Sequence, residues 1–220
     1  MTSFELLDGE AAAPYADRIF ALYDAVFGRF PDKADWREQL FDRDRKLDGY
    51  RLVLALDGDQ VLGFAWGYRG ERGQHWPDLV ARTLPELPAE WVRDHFELVE
   101  LAVDPDARRQ GIGGGLHDAL LDGLTGRALL GTTLAPEDPA LRLYKSRGWS
   151  TLGHLEDNRQ VMGAYLPSPD SKSWSSAGGA KRGRCIETRA PYRDRRRPRR
   201  RIVCRTRIRL VQQGFRRFPG

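Results

Sequence analysis

The sequence has few cysteines and no long hydrophobic run. Only two of its 220 residues are cysteine, Cys185 and Cys204, which argues against a disulfide framework and a zinc site of cysteine pairs. No apolar stretch approaches the roughly 20 residues of a membrane-spanning helix. The N-terminal MTSFELLDGEAA is acidic and lacks the basic-then-apolar order of a secretory signal. We therefore expect a cytoplasmic protein with no membrane segment and, since no His, Cys and Asp group has ligand spacing, no metal.

Two stretches of opposite charge divide the chain. Residues 1–167 contain 19 lysines and arginines against 28 aspartates and glutamates, a net charge of −9. Residues 168–220 contain 17 basic residues against 3 acidic ones, a net charge of +14. The change falls in YLPSPDSKSWSSAGGAKRGR, where Pro, Ser and Gly replace the apolar pattern. The sequence predicts a folded domain over 1–167 and an irregular, disordered basic tail over 168–220.

Hydrophobic periodicity in the acidic part predicts alternating strands and helices. In chain order we expect a strand at 3–8, helices at 13–30 and 34–45, a hairpin at 50–68, a loop or short helical excursion at 69–95, a strand at 96–103, a helix at 111–126, a strand at 127–134, a helix at 138–148 and strands at 149–156 and 159–166. This order is typical of an α/β domain with a mixed sheet.

The most informative stretch is VELAVDPDARRQGIGGGLHDALL, from Val99 to Leu121. An apolar run stops at Asp104-Pro105, a basic loop follows, and four glycines in five residues open an amphipathic helix. Glycines allow backbone N–H groups to approach a ligand closely, and a helix N-terminus presents unpaired donors at the positive end of its dipole. Together these features predict an anion site, most naturally one for phosphate.

Two common phosphate motifs do not match this loop. A nucleotide-binding P-loop needs Lys-Ser or Lys-Thr after its last glycine, and Leu116-His117 stands there instead. A dinucleotide fingerprint begins at the strand end, whereas seven residues separate strand from glycine here. RRQGIG, from Arg108 to Gly113, instead resembles the Arg/Gln-x-x-Gly-x-Gly/Ala motif of the GNAT N-acyltransferase superfamily.

A second motif of that superfamily follows in the correct order. PALRLYKSRGWSTLG resembles the family's Ala-x-x-Leu-Tyr signature and its glycine-aromatic turn into a strand, with Tyr144 and Gly148 in place. Glu137 departs from the Asn of many members, and Trp149 from the commoner Phe. The resemblance covers residues 1–166 and implies an α/β fold with a mixed, mostly antiparallel central sheet flanked by helices.

The resemblance implies acetyl-CoA as the donor substrate. The pyrophosphate would rest on the loop and helix start, where a Cβ at Gly111 or Gly113 would block its approach, and the pantetheine arm would pair with the strand. The residues so implied are Leu101, Ala102, Val103, Arg108, Arg109, Gln110, Gly111, Ile112, Gly113 and Gly114.

Acetyl transfer to an amine needs a base for the amine proton and an acid for the thiolate. Tyr144 occupies the family's general-acid position. Glu97 and Glu100 lie in an apolar strand, where a carboxylate is costly unless exposed, paired or functional. They point to opposite faces of a regular strand, and a bulge, frequent in the family, changes that. The base stays open between Glu97, Glu100, water and no dedicated group, while His117 and His154 are expected to pack or face solvent.

These observations predict an N-acetyltransferase acting on a primary amine of a small molecule or protein by direct transfer in a ternary complex. The net charge of −9 favours a cationic acceptor, with residues 69–95 and the first two helices shaping its pocket. The alternative is a nucleic-acid-binding or adaptor protein that uses the arginine-rich tail and carries an idle domain. The tail is also consistent with self-association, as in a homodimer, or with an out-of-frame appendage.

Overall fold

A seven-stranded sheet organises the chain in our computed structural model, which describes residues 2–167. The strands are β1 (Ser3–Leu7), β2 (Arg51–Asp57), β3 (Gln60–Gly70), β4 (His95–Val103), β5 (Gly126–Thr133), β6 (Ser150–Leu155) and β7 (Arg159–Leu166). Their order is β1-β2-β3-β4-β5-β7-β6, and all neighbours are antiparallel except β4 and β5. The predicted mixed, mostly antiparallel sheet is confirmed. Our predictions for the basic tail concern 168–220, outside the described residues.

The helices follow the predicted order. They are α1 (Gly9–Ala12), α2 (Ala16–Val26), α3 (Lys33–Trp36), α4 (Asp42–Asp44), α5 (His75–Thr83), α6 (Glu90–Arg93), α7 (Ile112–Leu121) and α8 (Pro139–Ser146), with a π-helical turn at Arg37–Phe41 and 3-10 turns at Ala13–Tyr15 and Pro105–Ala107. The segment 69–95 contains two short helices, α5 and α6. No helix of residues 2–167 has the length and apolar content to cross a membrane.

Three predicted helices are shorter than their apolar patterns. The helix predicted at 13–30 becomes α2, because Pro14 lies in a 3-10 turn and Gly28 adopts a φ of +55°. Those predicted at 111–126 and 138–148 end before Gly123 and Gly148, whose φ angles are +75° and +80°. A left-handed residue cannot continue an α-helix, so Gly28 and Gly148 stop α2 and α8, whereas α7 already ends before Asp122, whose backbone is extended.

Helices cover both faces of the sheet, and β2 shows the division. Leu52 and Leu54 pack into a cluster with the aromatic residues of α2 and the adjacent helices, whereas Val53 and Ala55 pack beneath α7 and α8. Alternate residues of a strand point to opposite faces, so both faces of β2 are buried. A third cluster lies under α5 and α6, around Val80 and neighbouring parts of the sheet.

The parallel pair β4 and β5 separates soon after it begins. Only Phe96 with Ala128 and Glu97 with Leu129 are paired along the two strands. β4 continues to Val103, so its second half has no β5 partner among the described residues. The sheet therefore opens into a gap, and one wall of this gap is the β4 backbone that has no β5 partner among the described residues.

Candidate active site

The basic loop leads from the open edge of β4 to the N-terminus of α7. Arg109 and Gly111 have positive φ angles of 63° and 81°. Gly111 is the N-cap of α7, and in the part of the chain that the structure describes neither a capping side chain nor an acidic first-turn residue satisfies the helix's initial N–H groups. The first hydrogen bond here runs from Gly115 N to Gly111 O at 3.0 Å. The free donors and the helix dipole suit an anion.

The positive φ of Gly111 requires a residue that tolerates the left-handed region. Gly113 differs, because a Cβ there would lie 3.6 Å from Val103 Cγ2 and 3.8 Å from Leu143 Cδ2, which are ordinary contacts. Packing within the described residues therefore does not require a glycine at position 113. A methyl group would fit at this position, beside the end of β4, without displacing a neighbour.

The other two glycines accommodate side chains of the protein itself. A Cβ at Gly114 would collide with the guanidinium of Arg147, and a Cβ at Gly115 would collide with the ring of Phe4. These glycines allow α7 to pack closely against α8 and β1. The glycine run thus combines fold requirements with an opening for a ligand.

The implied donor residues follow one continuous path. Leu101, Ala102 and Val103 lie on β4 beyond its last pairing with β5. Arg108, Arg109 and Gln110 form the exposed loop, Gly111 caps α7, and Ile112, Gly113 and Gly114 are the first residues of that helix. A strand edge followed by a basic loop and a helix N-terminus can hold an extended chain that ends in phosphates.

A β-bulge places Glu97 and Glu100 on the same face of β4. Trp66 pairs with Glu100 and the next residue of β3 pairs with Leu98, so Val99 is the extra residue of β4. The extra residue resets the alternation of side chains between the two glutamates. The regular-strand expectation of opposite faces is therefore wrong, and the bulge alternative is confirmed.

Glu97 is a buried carboxyl with one unpaired oxygen. Its Oε1 accepts a hydrogen bond from the Tyr68 hydroxyl at 3.4 Å, whereas Oε2 is buried without a partner among the described residues. Burial, followed by the negative charge of Asp44, raises the pKa of Glu97 to about 8, although the bond from Tyr68 opposes the rise. Glu97 is thus suited to exchange a proton near neutral pH.

Glu100 is equally buried but is held by a cation. Arg29 Nη1 lies 2.7 Å from Glu100 Oε1, and the Arg29 guanidinium also lies 4.5 Å from the centre of the Phe27 ring. Burial raises the pKa of Glu100 to about 7, while the positive charge of Arg29 opposes the rise. The charge of Glu100 is thus paired with that of Arg29, whereas the Oε2 atom of Glu97 has no partner within residues 2–167.

Sequence reasoning missed two buried polar residues of this face, Asp44 and His95. Asp44 is fully buried, accepts a hydrogen bond from Trp66 Nε1 at 3.3 Å and pairs with Arg43 at 2.8 Å. Both ring nitrogens of His95 are buried and have no hydrogen-bond partner within residues 2–167, and Nε2 lies 4.0 Å from the Glu97 Oε2 atom. Burial lowers the pKa of His95 to about 4, so its ring is neutral.

Tyr144 lies on α8 in the cluster beneath α7 and α8. Burial raises its pKa above the ordinary tyrosine value, and the negative charge of Glu100 adds to that effect. The hydroxyl therefore stays protonated at neutral pH and is available to donate a hydrogen bond. From the sequence, both histidines are expected either to pack or to face solvent. The His117 ring packs against the Tyr144 ring, and His154 is exposed.

The aromatic residues expected near the acceptor pocket have packing roles. Trp91 is buried in the third cluster, where its ring lies 5.0 Å from that of Tyr165. Trp76 packs against the same cluster, and His75 is exposed. Within residues 2–167, no group of three or more His, Cys, Asp or Glu side chains has the geometry to hold a metal ion.

Comparison with known proteins assigns this arrangement to a family. The model of the acetyltransferase (GNAT) family matches residues 16–149. A GCN5-like protein acetyltransferase of Mycobacterium tuberculosis is 35% identical over 109 residues, which are 46% of this chain and 53% of the relative. The chain thus spans about half the length of this curated relative.

Solved structures agree with the family match. The fold is similar to that of a GNAT-family acetyltransferase from Desulfovibrio desulfuricans, with a TM-score of 0.53, 18% identity and coverage of 76% of this chain and 100% of the other. It is also similar to a chain of the NatC complex bound to Gag peptide and CoA, with a TM-score of 0.54, 16% identity and coverage of 76% and 99%. The chain belongs to the GNAT family of acetyltransferases.

Proposed function

We propose that the protein transfers an acetyl group from acetyl-CoA to a primary amine of a small molecule or a protein, directly within a ternary complex. The observation that carries the proposal is the buried pair Glu97 and Glu100, brought to one face of β4 beside the gap in the sheet. Buried carboxyls with raised pKa values beside an opening are typical of proton-transfer sites.

Residues around the gap fit the donor by shape and charge. The first-turn N–H groups of α7 and the side chains of Arg108 and Arg109 would hold the pyrophosphate. The space left at Gly113 would admit it, and the backbone of Leu101 to Val103 would pair with the pantetheine arm. When bound, acetyl-CoA supplies a thioester whose acetyl group passes to the amine nitrogen.

Glu97 is the base that we favour. A lysine-like amine has a pKa of about 10.4, so it must lose a proton before it attacks. The pKa of Glu97, about 8, is closer to the pKa of the amine than that of an ordinary glutamate is, which makes Glu97 a stronger base. Its Oε2 atom also has no hydrogen-bond partner among the described residues. Glu100 is the alternative base, but its charge is offset by Arg29 at 2.7 Å.

Tyr144 is the acid in this proposal. Its raised pKa keeps a proton on the hydroxyl at neutral pH. A free thiol has a pKa of about 8.5, below that of the buried Tyr144 hydroxyl, so full proton transfer to the departing sulfur is uphill and the hydroxyl acts first by donating a hydrogen bond to the developing thiolate. After the reaction Tyr144 regains its proton from solvent, because the buried phenolate is unfavourable.

We propose a cationic amine as the acceptor. The support for this is the overall charge, because residues 1–167 have a net charge of −9 and a negative field attracts cations. The buried carboxyls of the site add little to that attraction, since Asp44 and Glu100 are paired with Arg43 and Arg29. The name of the Mycobacterium tuberculosis relative, a protein acetyltransferase, supports lysine side chains among the candidate acceptors.

Calorimetric titration of acetyl-CoA into the full-length protein tests the donor site. We expect micromolar binding that is lost in the Gly111→Glu, Gly113→Glu double variant, because both side chains would add negative charge where the pyrophosphate rests. Mass spectrometry of a lysine-containing peptide incubated with enzyme and acetyl-CoA then tests transfer. Absence of acetyl-CoA binding by the folded wild-type protein would overturn the proposal.

A further inference from the structure

The rings of Tyr144, His117 and Trp149 form a buried cluster between α7, α8 and the start of β6. The Tyr144 centroid lies 6.3 Å from that of His117 and 5.8 Å from that of Trp149. The other two rings meet edge-on with centroids 6.0 Å apart. All three residues are buried. In a close-packed interior, the position of the Tyr144 ring therefore depends on its two neighbours.

A chain of hydrogen bonds fixes the protonation state of His117. Trp149 Nε1 can only donate, and it lies 2.9 Å from His117 Nε2, which is therefore the unprotonated acceptor. The neutral ring then carries its proton on Nδ1 and donates it to Asp118 Oδ1 at 2.9 Å. Arg147 holds the same carboxylate through Nε and Nη2, at 2.6 Å and 2.9 Å.

This chain connects the helix of the donor site to the helix of the acid. His117 and Asp118 lie on α7, whereas Arg147 follows α8 and Trp149 precedes β6. Gly114 leaves room for the guanidinium of Arg147, because a Cβ at this position would collide with it. The two helices are thus held together next to the Tyr144 ring.

We propose that His117 is a positioning residue that, in its neutral form protonated at Nδ1, holds Tyr144 in place relative to the donor site on α7. This inference rests on the proposed role of Tyr144 as the acid. Trp149, where many family members carry Phe, supplies the N–H that selects this form of the ring. Removing either partner should displace Tyr144 without removing a group that binds acetyl-CoA.

The surroundings of His117 keep the ring neutral near pH 7. The titratable and charged groups that face it are Asp118 on α7, Tyr144 on α8 and Arg147 after α8. Burial lowers the pKa of His117 below its usual value, Asp118 opposes this effect, and Arg147 adds to it. Protonation would place a second N–H against Trp149 Nε1, so acidification breaks the chain of hydrogen bonds.

A double-mutant cycle with Tyr144→Phe tests the proposal in the full-length enzyme. The assay follows CoA release with acetyl-CoA and a lysine-containing peptide. We expect His117→Phe to lower kcat about tenfold while the KM for acetyl-CoA changes less than about twofold, because a displaced acid slows proton transfer. His117→Gln, whose Oε1 can accept the bond from Trp149, should recover most of the loss. In the Tyr144→Phe enzyme, His117→Phe should lower kcat no further.

The same cycle separates this proposal from the proposed function. If Tyr144→Phe leaves kcat unchanged, the acid is misassigned and the positioning role falls with it. If Tyr144→Phe slows the enzyme, but His117→Phe lowers kcat by the same factor in the wild type and in Tyr144→Phe, only the positioning role of His117 is overturned.

Nitrogen NMR of the full-length protein provides a test that needs no acceptor. We expect the proton of His117 on Nδ1 and a pKa below the ordinary histidine value. In Trp149→Phe, this pKa should move towards that value, because Nε2 is free to take a proton. A ring protonated at Nε2 in the wild-type protein would overturn the proposal even if the His117 variants fail to fold.

Discussion

Glu97 and Glu100 share one face of β4 although they are three residues apart. The extra residue Val99 between them resets the alternation of side chains, so Glu97 lies beside Tyr68 and Glu100 beside Trp66. Burial raises the pKa of the first to about 8 and of the second to about 7. One backbone irregularity thus places two weakly acidic carboxyls where β4 begins to leave β5.

The pH profile should identify the base. A carboxyl with a raised pKa is protonated and inactive below that pKa, so kcat/KM should rise with pH through about 8 if Glu97 accepts the amine proton. Glu97→Gln should lower kcat/KM at pH 9 by about 100-fold, since general-base catalysis typically contributes about 10²–10⁴-fold. Steady-state rates between pH 6 and 9.5 measure both effects.

Glu100→Gln is the matched control for this experiment. It changes a second buried carboxyl of the same face, so it should retain the rise through pH 8 that Glu97→Gln loses. The reverse result, with the rise retained in Glu97→Gln and lost in Glu100→Gln, would assign the base to Glu100. If both variants keep the rise of kcat/KM with pH, the amine proton is accepted by water or there is no dedicated base.

Tyr144→Phe should lower kcat by about 100-fold, the lower end of what general acid catalysis contributes. Its Kd for acetyl-CoA should stay within about twofold, because the ring that packs between His117 and Trp149 is kept. Rapid-mixing kinetics and calorimetry measure the two quantities. Tyr165→Phe serves as the control, since Tyr165 is 74% exposed and should retain wild-type values. Wild-type turnover in Tyr144→Phe would remove Tyr144 from the mechanism.

Local signals predicted most of the fold. Apolar periodicity identified the helices and strands, and left-handed glycines explain where two helices end earlier than the pattern suggested. The segment 69–95 was less predictable because its helices depend on distant partners. Val80 and Trp91 pack with Leu129 and Val161 in one cluster, and no local pattern specifies such contacts.

The candidate site was predictable only in part, for the same reason. The glycine loop and Tyr144 lie in contiguous motifs, whereas the bulge at Val99 depends on pairing with β3. Asp44 appears in the sequence as one of several polar residues of a charged helix. Its burial results from the fold, in which Trp66 and Arg43 cover it.

Gly113→Ala should separate ligand binding from stability. A Cβ at this position meets only ordinary contacts, the nearest at 3.6 Å, and alanine is favoured over glycine in helices by about 1 kcal/mol. We therefore expect an unchanged or higher Tm together with acetyl-CoA binding within about threefold of wild type, because the family motif carries either Gly or Ala at this position.

Gly115→Ala is the comparison for that variant. Its Cβ would collide with the ring of Phe4, which is 43% exposed and has to move. Since both variants gain the same helix preference of alanine, we expect the free energy of unfolding of Gly115→Ala to be lower than that of Gly113→Ala by about 1 kcal/mol or more. Thermal and denaturant unfolding measure the stability of both variants. At least about tenfold weaker acetyl-CoA binding in Gly113→Ala would contradict this expectation and show that the ligand fills the space of a single methyl group at this glycine.

Arg29→Gln should destabilise the protein in a pH-dependent way. Arg29 lies 2.7 Å from Glu100, which is 7% exposed, and opposes the rise in the pKa of that carboxyl. Without Arg29 this pKa rises further, so the folded state must bury an unpaired carboxylate above pH 8. Breaking a fully buried pair costs about 3–5 kcal/mol, and the side chain of Arg29 is 35% exposed, so we expect about 1–2 kcal/mol.

The sign of the pH dependence distinguishes this effect from lost packing. Glu100 has a folded pKa of about 7, above the ordinary glutamate value, and is therefore increasingly protonated in the folded state below that pH. A neutral Glu100 no longer needs the cation, so the difference between Arg29→Gln and wild type should shrink towards pH 5 and be largest above pH 8. Lys33→Gln, which breaks an exposed pair with Asp17, should cost less than about 0.5 kcal/mol throughout. Urea unfolding from pH 5 to 9 measures the free energy of unfolding of the wild type, Arg29→Gln and Lys33→Gln. If Arg29→Gln loses the same stability at every pH, Arg29 stabilises the fold by packing on Phe27 rather than by its charge.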